Sequence, residues 1–202
     1  MKLTNLIVII ITVFMACSKP QEATQVTDSS QEVTEDYTSK VPKFTFATTL
    51  EEQEEQLKTN PLILRFKESR KKLAEDPHVP LYHFVSPENR LNDPNGLSFW
   101  QDRWHMFYQG YPPEDPRQHW GHAVSDDMIH WKDLPYAIYP NPEQACFSGS
   151  ALVEDDRVIA MYHGTRVGNM VAVSSDPLLL NWEKVTGQAV THVRTKRPLQ
   201  CV

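Results

Sequence analysis

Hydrophobic positions divide the chain into four regimes. Leu6 to Met15 is an unbroken apolar run apart from Thr12. Residues 18 to 39 are rich in Gln, Glu, Thr and Ser, with almost no large apolar side chain. Such a stretch buries too little surface to offset its ordering entropy, so residues 18–43 are expected to form a disordered tether. A helical segment is expected over residues 44–80. Thr49 and Glu52 have capping-box spacing ahead of a short helix over Leu50–Lys58. Pro61 suits the first turn of a second helix running to about Ala74, where Asp76-Pro77 stops it. The first helix is acidic and the second basic, which reads as two solvated helices attracting each other.

From Leu81 the pattern changes to short runs of aromatic and β-branched residues between Asp, Asn, Gly and Pro turns. Leu97–Trp100 and Arg103–Gln109 read as one hairpin around Gln101-Asp102. Ser150–Val153 and Arg157–His163 read as another around residues 154–156. The two belong to a repeat. Gly96–Gly110 (GLSFWQDRWHMFYQG) resembles Gly149–Gly164 (GSALVEDDRVIAMYHG), and Ala123–Trp131 (AVSDDMIHW) resembles Ala172–Trp182 (AVSSDPLLLNW). The offset of about 50 residues suits a four-stranded propeller blade, the alternative being chance likeness of two meanders. Two blades begin here, whereas a closed propeller has at least four. The chain therefore reads as the front part of a longer protein.

Composition narrows the function. A net charge of −6 over 202 residues, with no Lys/Arg cluster, argues against nucleic acid as a partner. Three cysteines, at 17, 146 and 201, form no disulfide framework. Lys2, the apolar run and small Ala16 read as a secretory signal over residues 1–17, because the run is too short to span a bilayer. Phe14-Met15-Ala16-Cys17 resembles a bacterial lipobox, which would make Cys17 a lipidated N-terminus and anchor the exported protein to a membrane. Ordinary signal cleavage nearby is the alternative.

The candidate chemistry is concentrated at the beginnings of the two blades. Asn92-Asp93-Pro94-Asn95-Gly96 alone makes a good type I turn. Its position at the first strand of a blade puts a carboxylate near the propeller axis instead. The matching start in the second blade is Phe147-Ser148-Gly149. No His, Cys and carboxylate spacing suggests a metal or other cofactor. Asp126-Asp127 and Asp176 fall at matched turns, where they would cap. Trp131 and Trp182 fall at matched blade ends, where they would pack between blades. Cys146 reads as a buried free thiol.

Four motifs then occur in order: Arg90–Gly96 (RLNDPNG), Phe107–Gly110 (FYQG), His119–Trp131 (HWGHAVSDDMIHW) and Cys146–Ser150 (CFSGS). Together, over residues 81–190, they resemble glycoside hydrolase family 32, the invertases, levanases and inulinases. The resemblance implies an all-β fold, the first two blades of a five-bladed propeller, and retaining hydrolysis of β-fructosidic bonds in fructans or sucrose-type sugars. It makes Asp93 the nucleophile. Asn92 and Gln109 would bond fructose hydroxyls, Phe147 and Ser148 would complete the subsite wall, and Trp120 would offer an apolar edge to the sugar. Many members carry a further Trp in a longer loop before this one; residues 111–119 here are Pro-rich and lack it. Retention also needs an acid/base carboxyl about 5–5.5 Å from the nucleophile. The family's Arg-Asp-Pro and Glu-Cys motifs are absent: Arg197-Pro198 lacks the Asp, and Gln200-Cys201 has a side chain that cannot exchange a proton. The tail over residues 191–202 loses apolar alternation, as expected of a product whose native continuation was lost. The rival readings are a membrane-tethered, non-catalytic carbohydrate-binding protein and a fragment without function.

Overall fold

The computed structural model describes residues 35–80 and 82–185, with the backbone alone of 191–192. Two helices, α1 (Leu50–Thr59) and α2 (Pro61–Leu73), precede the strands. The first sheet runs in the order β1 (Leu91–Trp100), β2 (Arg103–Gly110), β3 (His119–Ser125) and β4 (Trp131–Ile138). The second runs β5 (Cys146–Val153), β6 (Val158–Gly164), β7 (Gly168–Ser174) and β8 (Glu183–Lys184). β9 (Thr191–His192) pairs with the far end of the same edge of β7. The pairings from β1 to β4 and from β5 to β8 are antiparallel between sequence neighbours, so each sheet is built on a four-strand meander, to which β9 is added in the second. Gln101 and Asp102 both have positive φ, 45° and 62°, the twist that a two-residue hairpin turn needs.

The seam between the sheets is the main core. Phe107, Trp120 and Ile138 of the first sheet meet Val158, Ala160, Tyr162, Met170, Ala172 and Trp182. β6 shows the two-residue period directly: Val158, Ala160, Tyr162 and Gly164 are buried while Met161 and His163 are exposed. Trp182 packs edge-on to Phe107 across the seam, 5.6 Å between centroids. Its repeat partner Trp131 packs instead against Phe84. The expectation of interblade packing therefore holds for Trp182 only. The capping aspartates behave as expected: Asp127 accepts from the backbone N–H of Ile129 and His130, and Asp176 from Leu180 and Asn181.

Strand pairing corrects the glycine alignment of the repeat. Tyr108 and Tyr162 are equivalent, and they pair with Pro94 and Gly149 respectively. Gly149 thus matches Pro94, not Gly96. An additional bulge in β1 between Asn95 and Ser98 displaces the glycine by two positions. The pairing makes Asp93 the equivalent of Ser148, and Asn92 of Phe147.

The helices are not two solvated rods. Leu62, Ile63 and Phe66 of α2 are buried against Val41, Tyr136 and Tyr139. Gln53 of α1 is fully buried; it donates to Asp176 Oδ1 (2.7 Å) and Ala47 O (2.9 Å) and accepts from Leu178 N–H (3.1 Å). A buried amide with every partner in place locks α1 to the second sheet as α2 is locked to the first. Arg70 of α2 pairs with the first sheet rather than with α1, gripping both oxygens of Asp133 at 2.8 and 2.7 Å, while Arg65 reaches Glu88 and Glu114 and Lys71 pairs with Glu68 of α2 itself. The capping box is also incomplete. Thr49 makes no side-chain bond to the backbone and donates instead to the Glu52 carboxylate. The working cap is Asn60, whose Oδ1 accepts from Leu62 and Ile63 N–H at the start of α2.

The tether expected to run to residue 43 ends earlier. Residues 18–34 lie outside the described residues, but residues 35–43 are strapped to the first sheet's β2–β3 loop. Val41 is buried. Lys40 N–H donates to Asp115 Oδ2 (3.1 Å), Ser39 Oγ bonds His119 Nε2 (2.6 Å), and Arg117 donates to the carbonyls of Tyr37 and Thr38. Burial pushes the Asp115 carboxyl up, yet Arg117 and the Lys40 N–H outweigh it and hold the pKa at about 2.

Candidate active site

Both candidate strand starts are β-bulges. In β1 the register slips between Leu91 and Pro94, leaving Asn92 and Asp93 on the bulge; in β5 it slips between Cys146 and Gly149, leaving Phe147 and Ser148 there. A bulge adds a residue and re-aims its side chain. β1 is an edge strand, which accommodates Pro94 without losing a ladder bond. Gly149 is required by close approach: a Cβ there would lie 2.1 Å from Met161 O. The motif Asn92–Gly96 is thus a bulged strand and not a type I turn.

The two bulges bring four polar side chains together. Ser148 Oγ donates to Asp93 Oδ2 at 2.7 Å. Gln109 Nε2 donates to Ser148 Oγ at 2.7 Å and lies 3.5 Å from Asp93 Oδ2. Asn92 Nδ2 lies 3.5 Å from Gln109 Oε1 and donates to Tyr111 OH at 2.8 Å. Asp93 is exposed, Gln109 is buried, and Phe147 is 37 % exposed beside them. Among the described residues no second carboxyl hydrogen-bonds to this cluster.

Trp120 does not take its expected place. It is fully buried, packed on Phe107 (5.4 Å) and Tyr162 (5.5 Å), and its indole N–H donates to Phe147 O at 2.9 Å. The reason is its place on the covered strand β3, all seven residues of which are buried. Trp120 supports the site from behind by fixing the backbone of Phe147.

Two features escaped the sequence reading. Tyr111 follows Gln109 by two residues and so falls on the same side of the chain; the Arg90 guanidinium lies 4.3 Å from its ring centroid. Glu143 is fully buried beneath the start of β5, where its Oε1 accepts from Tyr162 OH (2.8 Å), Lys184 Nζ (2.5 Å) and Cys146 Sγ (3.1 Å). Cys146 is the buried free thiol expected, and burial raises its pKa well above the ordinary range. No group of three or more His, Cys, Asp or Glu with metal-holding geometry occurs among the described residues. A cavity of about 480 Å³ lined by Val41, Tyr139, Trp182 and Lys184 does not reach Asp93.

Comparison with known proteins places the chain in a family. The model described as "Glycosyl hydrolases family 32 N-terminal domain" matches residues 83–199, more than half of the chain. The chain belongs to glycosyl hydrolase family 32. It is 46 % identical over 89 residues to the sucrose-6-phosphate hydrolase of Escherichia coli, covering 42 % of this chain and 18 % of that protein. It is 36 % identical over 132 residues to the levanase of Bacillus subtilis (strain 168), covering 57 % and 19 %. The chain thus spans about a fifth of the curated relatives it matches. Among solved structures, sucrose-6-phosphate hydrolase from Lactobacillus gasseri superposes with a TM-score of 0.55 at 27 % identity, over 67 % of this chain and 30 % of that one. Fructan 1-exohydrolase IIa from Cichorium intybus gives 0.50 at 37 % identity, over 55 % and 23 %; a variant of that enzyme was solved with 1-kestose. The two sheets are accordingly the first blades of this family's propeller.

Proposed function

We propose that this family 32 chain carries the nucleophile side of a retaining β-fructosidase site, with Asp93 as nucleophile. The observation that carries the reading is the Asp93 carboxylate on its bulge. Ser148 and Gln109 both approach Oδ2, so Oδ1 of the exposed Asp93 has no protein partner among the described residues and is left for attack. In the reaction, Asp93 Oδ1 bonds to the fructosyl anomeric carbon as the bond to the leaving oxygen breaks, giving a glycosyl ester that water later hydrolyses. Asn92 and Phe147 border the sugar, and Gln109, Ser148 and Trp120 hold the groups that touch it. Fructans and sucrose-type sugars are the substrates by analogy with the levanase, sucrose-6-phosphate hydrolase and fructan exohydrolase relatives.

A fructosyl donor with an activated leaving group tests this, since it needs no proton from the protein. β-D-Fructofuranosyl fluoride should transfer one fructosyl unit to Asp93, visible by mass spectrometry of the peptide that contains it. The C–F bond breaks with its electron pair going to fluoride while the carboxylate oxygen forms the new bond. An unlabelled Asp93 after prolonged exposure, with fructosides still bound, would support the non-catalytic binding protein instead.

We also propose that the chain is exported and membrane-anchored through Cys17. The apolar run and the Phe14–Cys17 pattern support this; both lie outside the described residues. No helix among the described residues is long and apolar enough to cross a membrane. Expressed in a bacterium, the chain should fractionate with membranes and a Cys17→Ser variant should not. Equal partitioning of the two would refute the anchor.

A further inference from the structure

The polar side chains around Asp93 form a hydrogen-bonded series from Asp93 through Ser148, Gln109 and Asn92 to Tyr111, with Gln109 Nε2 also 3.5 Å from Asp93 Oδ2, and its direction is fixed at the Asp93 end. A carboxylate only accepts, so Ser148 must spend its single O–H on Asp93. Ser148 Oγ can then only accept from its other neighbour, which forces Gln109 to present Nε2. Gln109 therefore turns Oε1 toward Asn92, and Asn92 must answer with Nδ2. The remaining N–H of Asn92 is taken by Tyr111 OH. Both ends of Gln109 and both protons of the Asn92 amide are thus engaged within the protein.

What is left facing outward has one character. Among the described residues, neither Asn92 Oδ1 nor Asp93 Oδ1 has a partner, and both are acceptors. We propose that the site reads its sugar as a hydrogen-bond donor, and that Tyr111 is the positioning residue that holds the Asn92 carbonyl toward the ligand. Tyr111 is suited to this: it is 5 % exposed, and Arg90 covers its ring face at 4.3 Å, so the hydroxyl sits on a fixed support. The inference rests on the fructoside reading of the site and adds to it a polarity: the hydroxyl opposite Asn92 must give its proton.

Fluorine tests this because it matches a hydroxyl in size but cannot donate. Titrate the 202-residue chain with methyl β-D-fructofuranoside and with analogues in which one ring hydroxyl at a time is replaced by hydrogen or by fluorine. At the position opposite Asn92, the deoxy and fluoro analogues should both bind about tenfold more weakly than the parent. Tyr111→Phe removes the acceptor that holds the amide while keeping the ring under Arg90. It should raise the affinity for the fluoro analogue several-fold relative to the deoxy analogue, because a freed amide can turn its N–H to fluorine. A separate readout needs no ligand: the Asn92 side-chain amide protons should exchange slowly in the wild type and faster in Tyr111→Phe. Fluoro analogues that all bind like the parent would overturn the proposal, as would amide exchange unchanged by Tyr111→Phe. If the parent glycoside itself does not bind, the fructoside reading fails and this inference falls with it; binding of the parent with no difference between analogues sinks the inference alone.

Discussion

Purified as the 202-residue chain, the protein should cleave β-D-fructofuranosyl fluoride far faster than sucrose. The two donors place the same fructosyl group before Asp93, so binding and nucleophilic attack are common to both. They differ in what must leave. Fluoride departs as a stable anion, whereas the glucosyl oxygen of sucrose needs a proton as its bond breaks. General acid catalysis contributes about 10²–10⁴-fold to such a step. Among the described residues the Asp93 cluster bonds only to Ser148, Gln109 and its own neighbours, with no carboxyl poised to supply that proton. A preference for the fluoride of about 10²-fold or more is therefore expected, measured as fluoride against glucose release. Asp93→Asn should abolish both, since an amide is a poor nucleophile. Comparable rates on the two donors would show that an acid operates within this chain.

The sequence displayed what depends on local pattern. Alternating apolar residues gave both hairpins and their turns, though β1 and β5 begin earlier, at Leu91 and Cys146, and the repeat marked Phe147-Ser148 as the matching strand start while strand pairing set its register against Asn92-Asp93. What it concealed depends on contacts far apart in the chain. Gln53 looks like any polar residue of an acidic helix, yet its amide is buried by Asp176 and Leu178, more than 120 residues away. Residues 35–43 have the composition of a tether; only the Asp115–Arg117–His119 loop supplies partners enough to order them. Trp120 illustrates a different limit. An aromatic next to a sugar motif suggests stacking, but whether its ring faces outward is decided by what covers β3 on both faces. The donor and acceptor order from Asp93 to Tyr111 was hidden for the same reason, because it requires the two bulges to stand side by side.

Three buried histidines make the fold sensitive to mild acid. His105, His119 and His122 are all fully buried. Burial lowers the pKa of His105 to about 4, helped by the nearby Arg103 charge. Burial also brings His119 to about 4, against the pull of the Arg117 carbonyl and Asp115. His122 is driven well below its ordinary value by burial and by His105, whose Nδ1 lies 2.9 Å from its Nε2. An unfolded chain protonates these rings near pH 6.5. Between about pH 6.5 and 4 the unfolded state therefore binds protons that the folded state refuses, so stability rises with pH through this window and is lost as the pH falls through it. The loss is on the order of 3 kcal/mol each for His105 and His119 by pH 4, and His122 adds to it in the same direction. The depressed carboxyl of Asp115 acts elsewhere: its stabilisation is lost only below about pH 4, as pH falls toward its folded pKa of about 2. Thermal melts from pH 7 to 4.5 should show Tm falling steadily. Because the His105 and His122 rings bond chiefly to each other, replacing both with Leu removes a polar pair together and leaves no orphaned partner. That double variant should melt near the wild type at pH 7 and lose much of the acid dependence. A wild-type Tm that stays level from pH 7 to 4.5 would contradict the account, because three neutral, desolvated rings cannot be indifferent to that change.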